Sequence, residues 1–287
     1  MYLLLAVSIL FASLGSILLH RLKLPSAAAV YRLNLVTALV WLTLLLALNG
    51  FTLTLSRTVL LFGLIYGVTQ ALFILFKSLA MNRGSPSVTS LLGNGSLLLS
   101  VAVSYLAFDE AVTVWDLLGL FLLLVAIFLT ADPRHAPHVP PKRGWLPATL
   151  LFMILGAGVG ISFKAFGRFG DADAAGDMMC VAAAVMALVL LPLYLAARRE
   201  DRRRARPAAR LPLALAVASG LLSCGYNRLN ITLSGALDAI VFFPFFNGGV
   251  IILTTICSVL FTKERLRAGQ ILGLVLGVTA IAVIGIF

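Results

Sequence analysis

Stretches of about 20 apolar residues recur along the whole of this 287-residue chain. Each is long enough to cross the roughly 30 Å hydrocarbon core of a bilayer as an α-helix. The chain has 61% apolar and 11% charged residues and a mean hydropathy of +1.06, whereas a soluble domain has roughly 25% charged residues. We therefore predict an all-α integral membrane protein with many spans. Reading apolar runs between charges and turn residues places ten spans, at 2–19, 27–48, 57–80, 86–107, 112–131, 145–166, 174–197, 210–233, 238–261 and 267–287.

One 40-residue stretch occurs twice. Residues 91–130 align without a gap on residues 245–284, a shift of 154 positions. In a chain rich in leucine and alanine some matches are expected by chance, but paired Gly, Ser and Glu residues are not, so the similarity indicates an internal duplication. Eleven positions are identical: Gly95/Gly249, Leu99/Leu253, Ser104/Ser258, Leu106/Leu260, Glu110/Glu264, Leu118/Leu272, Gly119/Gly273, Leu120/Leu274, Leu122/Leu276, Ala126/Ala280 and Ile127/Ile281.

A polar segment with four prolines, 132–144, divides the ten predicted spans into two sets of five. We therefore predict a first repeat over 1–131, a linker over 132–144 and a second repeat over 145–287. Because five is odd, consecutive repeats must have opposite orientations in the membrane. This arrangement of two inverted five-helix repeats is typical of secondary transporters, whose substrate site lies near the midplane between the halves.

The basic residues predict the orientation of the chain. Eighteen of the 22 Lys and Arg residues fall at the odd-numbered connections between spans and four at the even-numbered ones. Positive loops face the cytoplasm, so this count predicts cytoplasmic odd connections and both termini outside, in a bacterial-type inner (plasma) membrane. The net charge of +11 is then explained by orientation, and we expect no nucleic-acid partner.

Two matching segments resemble the ten-span, EamA-like branch of the drug/metabolite transporter superfamily. They are YLAFDE at Tyr105–Glu110 and LFTKERL at Leu260–Leu266, and each precedes a glycine-bearing helix, LLGLFLLL or ILGLVLGV. The resemblance covers essentially the whole chain. It implies export or import of metabolites through a cavity lined by spans one, three, four, six, eight and nine. It also implies termini inside the cell, opposite to the charge count.

Small multidrug relatives in that superfamily carry a proton-coupling glutamate in their first span. The first span here, YLLLAVSILFASLGSILL, contains no carboxylate. The chain therefore departs from that pattern in its first span. We expect the coupling ion of the transporter to be a proton or a sodium ion.

The centres of spans four and nine are interrupted in the same place by residues that weaken a helix. Such interruptions in repeat-related spans are a sequence pointer to a transporter's binding site. Asn94 and Asn247 lie there, and we predict that their amides bind the substrate; the alternative is that each amide holds two helices together. We predict hinge or close-packing roles for the neighbouring small residues and for two in span six: Gly93, Gly95, Pro244, Gly248, Gly249, Gly158 and Gly160.

The other predicted substrate contacts lie on spans three and eight and are Tyr66, Gln70, Tyr226, Asn227 and Arg228. An unpaired amide is costly in hydrocarbon, which favours a role for Gln70. Charges within spans are functional candidates. If Arg228 faces the cavity, the substrate carries a carboxylate or phosphate; otherwise its side chain extends to the interface.

Three further charged residues are candidates of lower rank. Lys77 and Lys164 lie closer to the ends of their spans, where a lysine can line a cavity or extend to the interface. Glu110 ends span four, and we interpret it as a helix-end or loop ligand; proton coupling is the alternative role.

Motifs of common enzymes are missing: the sequence has no G-x-S-x-G, HExxH or P-loop pattern. We expect no catalytic residues, metal or cofactor. The prediction is a secondary transporter that moves a small polar organic metabolite by alternating access, as a monomer or homodimer. A flippase for a lipid-linked substrate and a transporter of quaternary amines or drugs are alternatives with the same fold.

Overall fold

The computed structural model describes residues 1–21, 24, 26–131, 140–171, 173–203, 212–262 and 266–286. Most of the predicted linker and Glu264 lie outside these residues. Within them, every regular element is a helix. The helices are α1 Tyr2–Arg21, α2 Ala27–Leu48, α3 Arg57–Arg83, α4 Pro86–Gly93, α5 Ser96–Phe108, α6 Val114–Ala131, α7 Trp145–Phe169, α8 Ala175–Arg203, α9 Leu213–Ala236, α10 Ala239–Thr262 and α11 Ala268–Ile286.

Nine helices in the described part of the chain are long and apolar enough to cross a membrane, with α4 and α5 counted together as Val88–Phe108. The protein is thus a multi-pass, all-α membrane protein, as predicted. The remaining predicted span, the eighth at 210–233, corresponds to α9, which has 24 residues but is not among the nine. Asn227, Arg228 and Asn230 make its C-terminal half polar.

Span four is not the single helix that its apolar run predicts. α4 ends at Gly93 and α5 begins at Ser96. Between them the Gly95 N–H donates to the Leu92 carbonyl at 3.0 Å, and the Leu97 N–H donates to the Asn94 carbonyl at 3.0 Å. Bonds to the third preceding residue tighten the turn to a 3₁₀ geometry, which often marks a hinge or strained segment.

The helices of the two halves pack in corresponding pairs. α1 packs on α9 and α10, while α7 packs on α3 and α5. α2 packs on α9, and α8 on α3. The pairs α2 with α8 and α6 with α11 are the most extensive contacts. In chain order, α1 corresponds to α7, α2 to α8, α3 to α9, α4 and α5 together to α10, and α6 to α11. Replacing each helix of a contact by its counterpart gives another of these contacts, or the same contact again.

Individual residues follow the same exchange where α6 meets α11. A Cβ placed on Gly119 would lie 3.1 Å from the Ala280 carbonyl oxygen, and one on Gly273 would lie 2.9 Å from that of Ala126. These four residues are two repeat pairs, each separated by 154 positions. Since higher numbers on α6 meet lower numbers on α11, the two helices run antiparallel.

The exchange extends beyond the duplicated stretch. A Cβ on Gly67 would lie 2.8 Å from the Cβ of Val185, and one on Gly220 would lie 3.0 Å from the Cβ of Val40. The corresponding separations are 220 − 67 = 153 residues for α3 and α9 but 185 − 40 = 145 for α2 and α8. The second half therefore has eight more residues between these positions. The shift of 153 at α3 and α9 also differs by one residue from the shift of 154 in the duplicated stretch, which explains why an alignment without gaps ends at the fourth span.

Candidate functional site

A cavity of about 450 Å³ lies between α2 and α3, which make little contact with each other. The end of α1, the first half and middle of α9 and the middle of α8 complete its walls. Such a volume is in the range of small-molecule sites. Its polar lining residues are Ser26, Asn34, Thr37, Trp41, Gln70, Lys77, Ser78, Asn82, Ser219, Ser223 and Tyr226.

The cavity reaches the surface at one end of the bundle. Its mouth is marked by Ser26, before the start of α2, and by Asn82, near the end of α3. Its inner end is formed by Trp41, Gln70 and Tyr226, well inside their helices. The mouth therefore lies on the side of the odd-numbered connections.

Hydrogen bonds between helices form a polar floor beneath the cavity. The Trp41 Nε1–H donates to Ser223 Oγ at 2.8 Å, and the Asn227 amide donates to the Ser223 carbonyl at 2.7 Å. Tyr66, which is 1% exposed, donates its hydroxyl to Asn227 Oδ1 at 3.5 Å. These contacts join α2, α3 and α9 and separate the cavity from the opposite side.

A buried ion pair closes that opposite side. Glu110, just after α5, pairs with Lys164 near the end of α7, and the two side chains are 5% and 4% exposed. The carboxylate also accepts the Ala239 N–H at 2.7 Å, at the start of α10. Lys164 donates to the Leu237 carbonyl at 2.6 Å, beyond the end of α9. One pair thus holds four helix ends together.

A second polar contact lies on the same side. Asp177, 8% exposed near the start of α8, accepts the Asn49 amide at 2.6 Å and the Thr54 N–H at 3.1 Å. It therefore ties α8 to the α2–α3 connection. Arg228 lies beside this group, since a Cβ placed on Gly176 would meet both Arg228 Nη1 and Asn49.

The predicted residues of spans three and eight occupy different positions. Gln70 and Tyr226 line the cavity, and Tyr66 and Asn227 form its floor. The Gln70 Oε1 is buried and has no hydrogen-bond partner among the described residues. Arg228 is not among the lining residues; its Nη1 is also buried and, within the described chain, unbonded.

Asn94 and Asn247 are half-buried and do not line the cavity in this conformation. Asn247 donates its amide to the Phe243 carbonyl of its own helix at 2.8 Å, and Asn94 lies in the turn between α4 and α5. Their role as substrate ligands stays a prediction.

The predicted hinge and packing residues lie against neighbouring helices. Pro244 is buried within α10. The glycines contact side chains of other helices: Gly93 meets Phe152, Gly95 meets Met153, Gly158 meets Thr69, Gly160 meets Phe243, Gly248 meets Leu123 and Gly249 meets Ile9.

The walls differ from those implied by the family resemblance. The lining residues come from spans one, two, three, seven and eight, whereas the resemblance implied spans four, six and nine and omitted two and seven. The reason is that α2 diverges from α3 while packing along α8. Asn34, Thr37 and Trp41 repeat at helical spacing along span two, a polar face that could have indicated this wall.

Lys77 is the one charged residue among the described residues that line the cavity. Its Nζ lies 5.8 Å from the ring centroid of Phe73 and 6.0 Å from that of Phe152. Within the described chain, no carboxylate is close enough to form an ion pair with it.

No group of three or more His, Cys, Asp or Glu side chains that could hold a metal ion occurs in the described residues. No family model and no curated protein matches the sequence. One crystal structure of another protein resembles this chain with a TM-score of 0.74 and 17% identity, over 98% of this chain and 94% of that one. At this identity the likeness shows a shared fold and carries no function.

Proposed function

We propose that this protein is a secondary transporter that moves a small polar organic metabolite across the membrane by alternating access. The observation that carries the proposal is a cavity open at one end of the bundle and closed at the other. Its floor is a layer of interhelical hydrogen bonds, and the buried pair Glu110–Lys164 lies beyond that floor. This is the arrangement expected of one of the two end states of a transporter.

We further propose that ten spans, including α9, form two inverted repeats of five. The exchange of contacts between the halves and the antiparallel packing of α6 on α11 support this proposal. A two-fold axis perpendicular to the helices would produce both, and for membrane spans such an axis lies in the membrane plane. Inverted halves can exchange conformations, which converts one end state into the other.

This mechanism requires the two halves to differ at equivalent positions, and one pair of positions supports it. Lys77 on α3 is accessible in the open cavity, and its equivalent on α9 is Asn230, since 77 + 153 = 230. Asn230 is 3% exposed and accepts the Ser8 hydroxyl of α1 at 2.6 Å. The second half is therefore closed where the first is open.

The charge count and the family resemblance extend the proposal. The excess of basic residues at the odd connections would place the mouth in the cytoplasm of a cell with a bacterial-type inner membrane. The drug/metabolite transporter superfamily is the proposed family, and a proton or sodium gradient is the proposed driving force.

Uptake into proteoliposomes tests the function. Purified protein would first be screened by thermal shift against amino acids, nucleosides, amines and sugar phosphates, because a bound ligand raises the apparent stability of the native state. Compounds that bind would then be tested for transport. Gln70→Leu should lower uptake about fivefold to tenfold, because it removes one hydrogen bond to the substrate that contributes roughly 1–1.5 kcal/mol.

Two tyrosines offer a matched control. Tyr226→Phe changes the cavity wall and should lower uptake, whereas Tyr105→Phe changes a side chain that is 52% exposed on α5, away from the cavity, and should not. Equal effects of the two substitutions, or no uptake of any compound that binds, would reject the transporter.

Thiol labelling tests alternating access separately. Thr37→Cys in a Cys257→Ser background places a reactive thiol in the cavity, while Cys180 and Cys224 are buried. An impermeant maleimide should label this thiol from the mouth side, and a transported compound should change the rate. If no transported compound changes the rate of maleimide labelling, the result contradicts alternating access.

A further inference from the structure

We propose that the cavity selects small organic anions, with a carboxylate or phosphate group bound at Lys77 and a hydrogen-bond donor of the same molecule bound deeper, at Gln70. The proposal rests on the transport function proposed above and names its substrate class. It depends on the placement of one lysine, one amide and the apolar wall between them.

Lys77 is directed into the bundle. It lies six residues before the end of α3, about 9 Å along the helix axis at 1.5 Å per residue. A lysine at this depth can extend its ammonium toward the interface. Here the ammonium instead lies over Phe73, one turn deeper on α3, and near Phe152, seven residues into α7 and at a similar depth.

The ammonium lacks a negative partner of its own. The two aromatic rings stabilise the ammonium, which is exposed in the open cavity and so can be reached by a ligand from the mouth. In contrast, Lys164 is paired with Glu110, and Asp177 accepts two hydrogen bonds. Among the described residues that line the cavity, none is acidic. A bound anion would supply the missing charge.

Gln70 indicates what the other end of the ligand carries. It is seven residues before Lys77 on α3, which places it on the same helix face about 10 Å deeper. Its Oε1 is buried without a partner among the described residues and can accept a hydrogen bond. The ligand donor would be a hydroxyl, amide or ammonium group.

The wall between the two groups is apolar. Ile74 lies between Lys77 and Gln70 on α3, and Leu33 and Met186 line the cavity from α2 and α8. A ligand that fills about 450 Å³ and spans about 10 Å is a small metabolite with an apolar middle and polar ends. Aromatic or short aliphatic acids and small phosphate monoesters meet this description.

A charge series on one carbon skeleton tests the proposal with the unmodified protein. Three probes share this skeleton: 4-hydroxyphenylacetate, the neutral 4-hydroxyphenylacetamide and the cation tyramine. The second anion type is 4-hydroxyphenyl phosphate, which keeps the ring hydroxyl as the donor for Gln70. Affinity would be measured by thermal shift in detergent. We expect both anion types, or one of them, to bind at least about tenfold more tightly than the amide and the amine. Their relative affinity distinguishes carboxylate from phosphate.

Charge-changing variants locate the site. Lys77→Gln should abolish the preference for the anion, and Lys77→Arg should keep most of it because the positive charge remains. Lys142→Gln is the matched control, since it removes the same charge from an exposed position in the connection before α7, outside the cavity. If Lys77→Gln does not fold, the charge series and Lys77→Arg still decide the outcome.

The results separate this proposal from the transporter proposal. Equal binding of anion, amide and amine, or an anion preference that survives in Lys77→Gln, overturns the anion site. Uptake of a neutral or cationic compound without any anion preference leaves the transporter and removes the substrate class. Anion binding that depends on Lys77, without uptake into proteoliposomes, leaves the site and removes transport.

Discussion

The ion pair between Glu110 and Lys164 offers a quantitative test of how the closed side is held. Lys164→Met keeps the length of the side chain and removes its charge. Glu110→Gln removes the other charge and keeps an oxygen for the Ala239 N–H. The double variant removes both charges and leaves the helix end capped.

The structure sets the expected magnitudes. Both side chains are about 95% buried, so either single substitution leaves an uncompensated charge inside the protein. Breaking a buried pair in this way costs about 3–5 kcal/mol, and Lys164→Met also removes the hydrogen bond to the Leu237 carbonyl. The double variant carries no buried charge here, so its loss should be smaller than the sum of the single losses by at least about 2 kcal/mol.

Unfolding in mixed micelles, followed as a function of the mole fraction of sodium dodecyl sulfate, measures the four free energies of the cycle. Lys142→Met, at an exposed position, serves as the control. The single variants should also expose the closed side, so that a cysteine replacing Ser234, which is 0% exposed, reacts with an impermeant maleimide. Additive losses in the double variant would show that the two charges do not interact, and our reasoning would be refuted.

Two further predictions concern packing and the asparagines. A Cβ on Gly167 would lie 2.5 Å from the Cα of Gly235, so Gly167→Ala should destabilise the fold by about 1–3 kcal/mol. Gly269 has open space around it, so Gly269→Ala should leave the stability unchanged. Equal stability of the two variants in the same unfolding assay would contradict the close packing of Gly167 on Gly235. Asn94→Ala and Asn247→Ala should slow uptake without changing ligand affinity in thermal shift, because neither residue lines the cavity in this state; unchanged uptake in both removes them from the mechanism.

The membrane spans could be predicted from the sequence because their physical cause is local. A backbone segment in hydrocarbon must satisfy its own hydrogen bonds, so a run of about 20 apolar residues specifies a helix whatever surrounds it. Ten spans were predicted in this way, and nine helices in the described part of the chain are long and apolar enough to cross a membrane. The break at Asn94 and Gly95 has a local cause as well, and Met153 packs against Gly95 there.

Only part of the proposed duplication can be seen in the sequence alone. Residues 91–130 match 245–284 without a gap, but the equivalence of Gly67 with Gly220 and of Val40 with Val185 depends on two different shifts. The contacts between helices support the proposed relation where an ungapped sequence comparison does not extend.

The candidate site was decided by tertiary structure. The sequence alone favours Arg228 over Lys77 as the cation in the cavity. Arg228 has Asn227 and Asn230 beside it, whereas Lys77 lies closer to the end of its span. Packing places Arg228 beside Asp177 and gives Lys77 an accessible position without a carboxylate neighbour. Likewise, Glu110 meets Lys164 only because four helix ends converge. The hydropathy of a span depends on residues that are adjacent in the sequence. The environment of a charge depends on residues far apart in the sequence, which only the fold brings together.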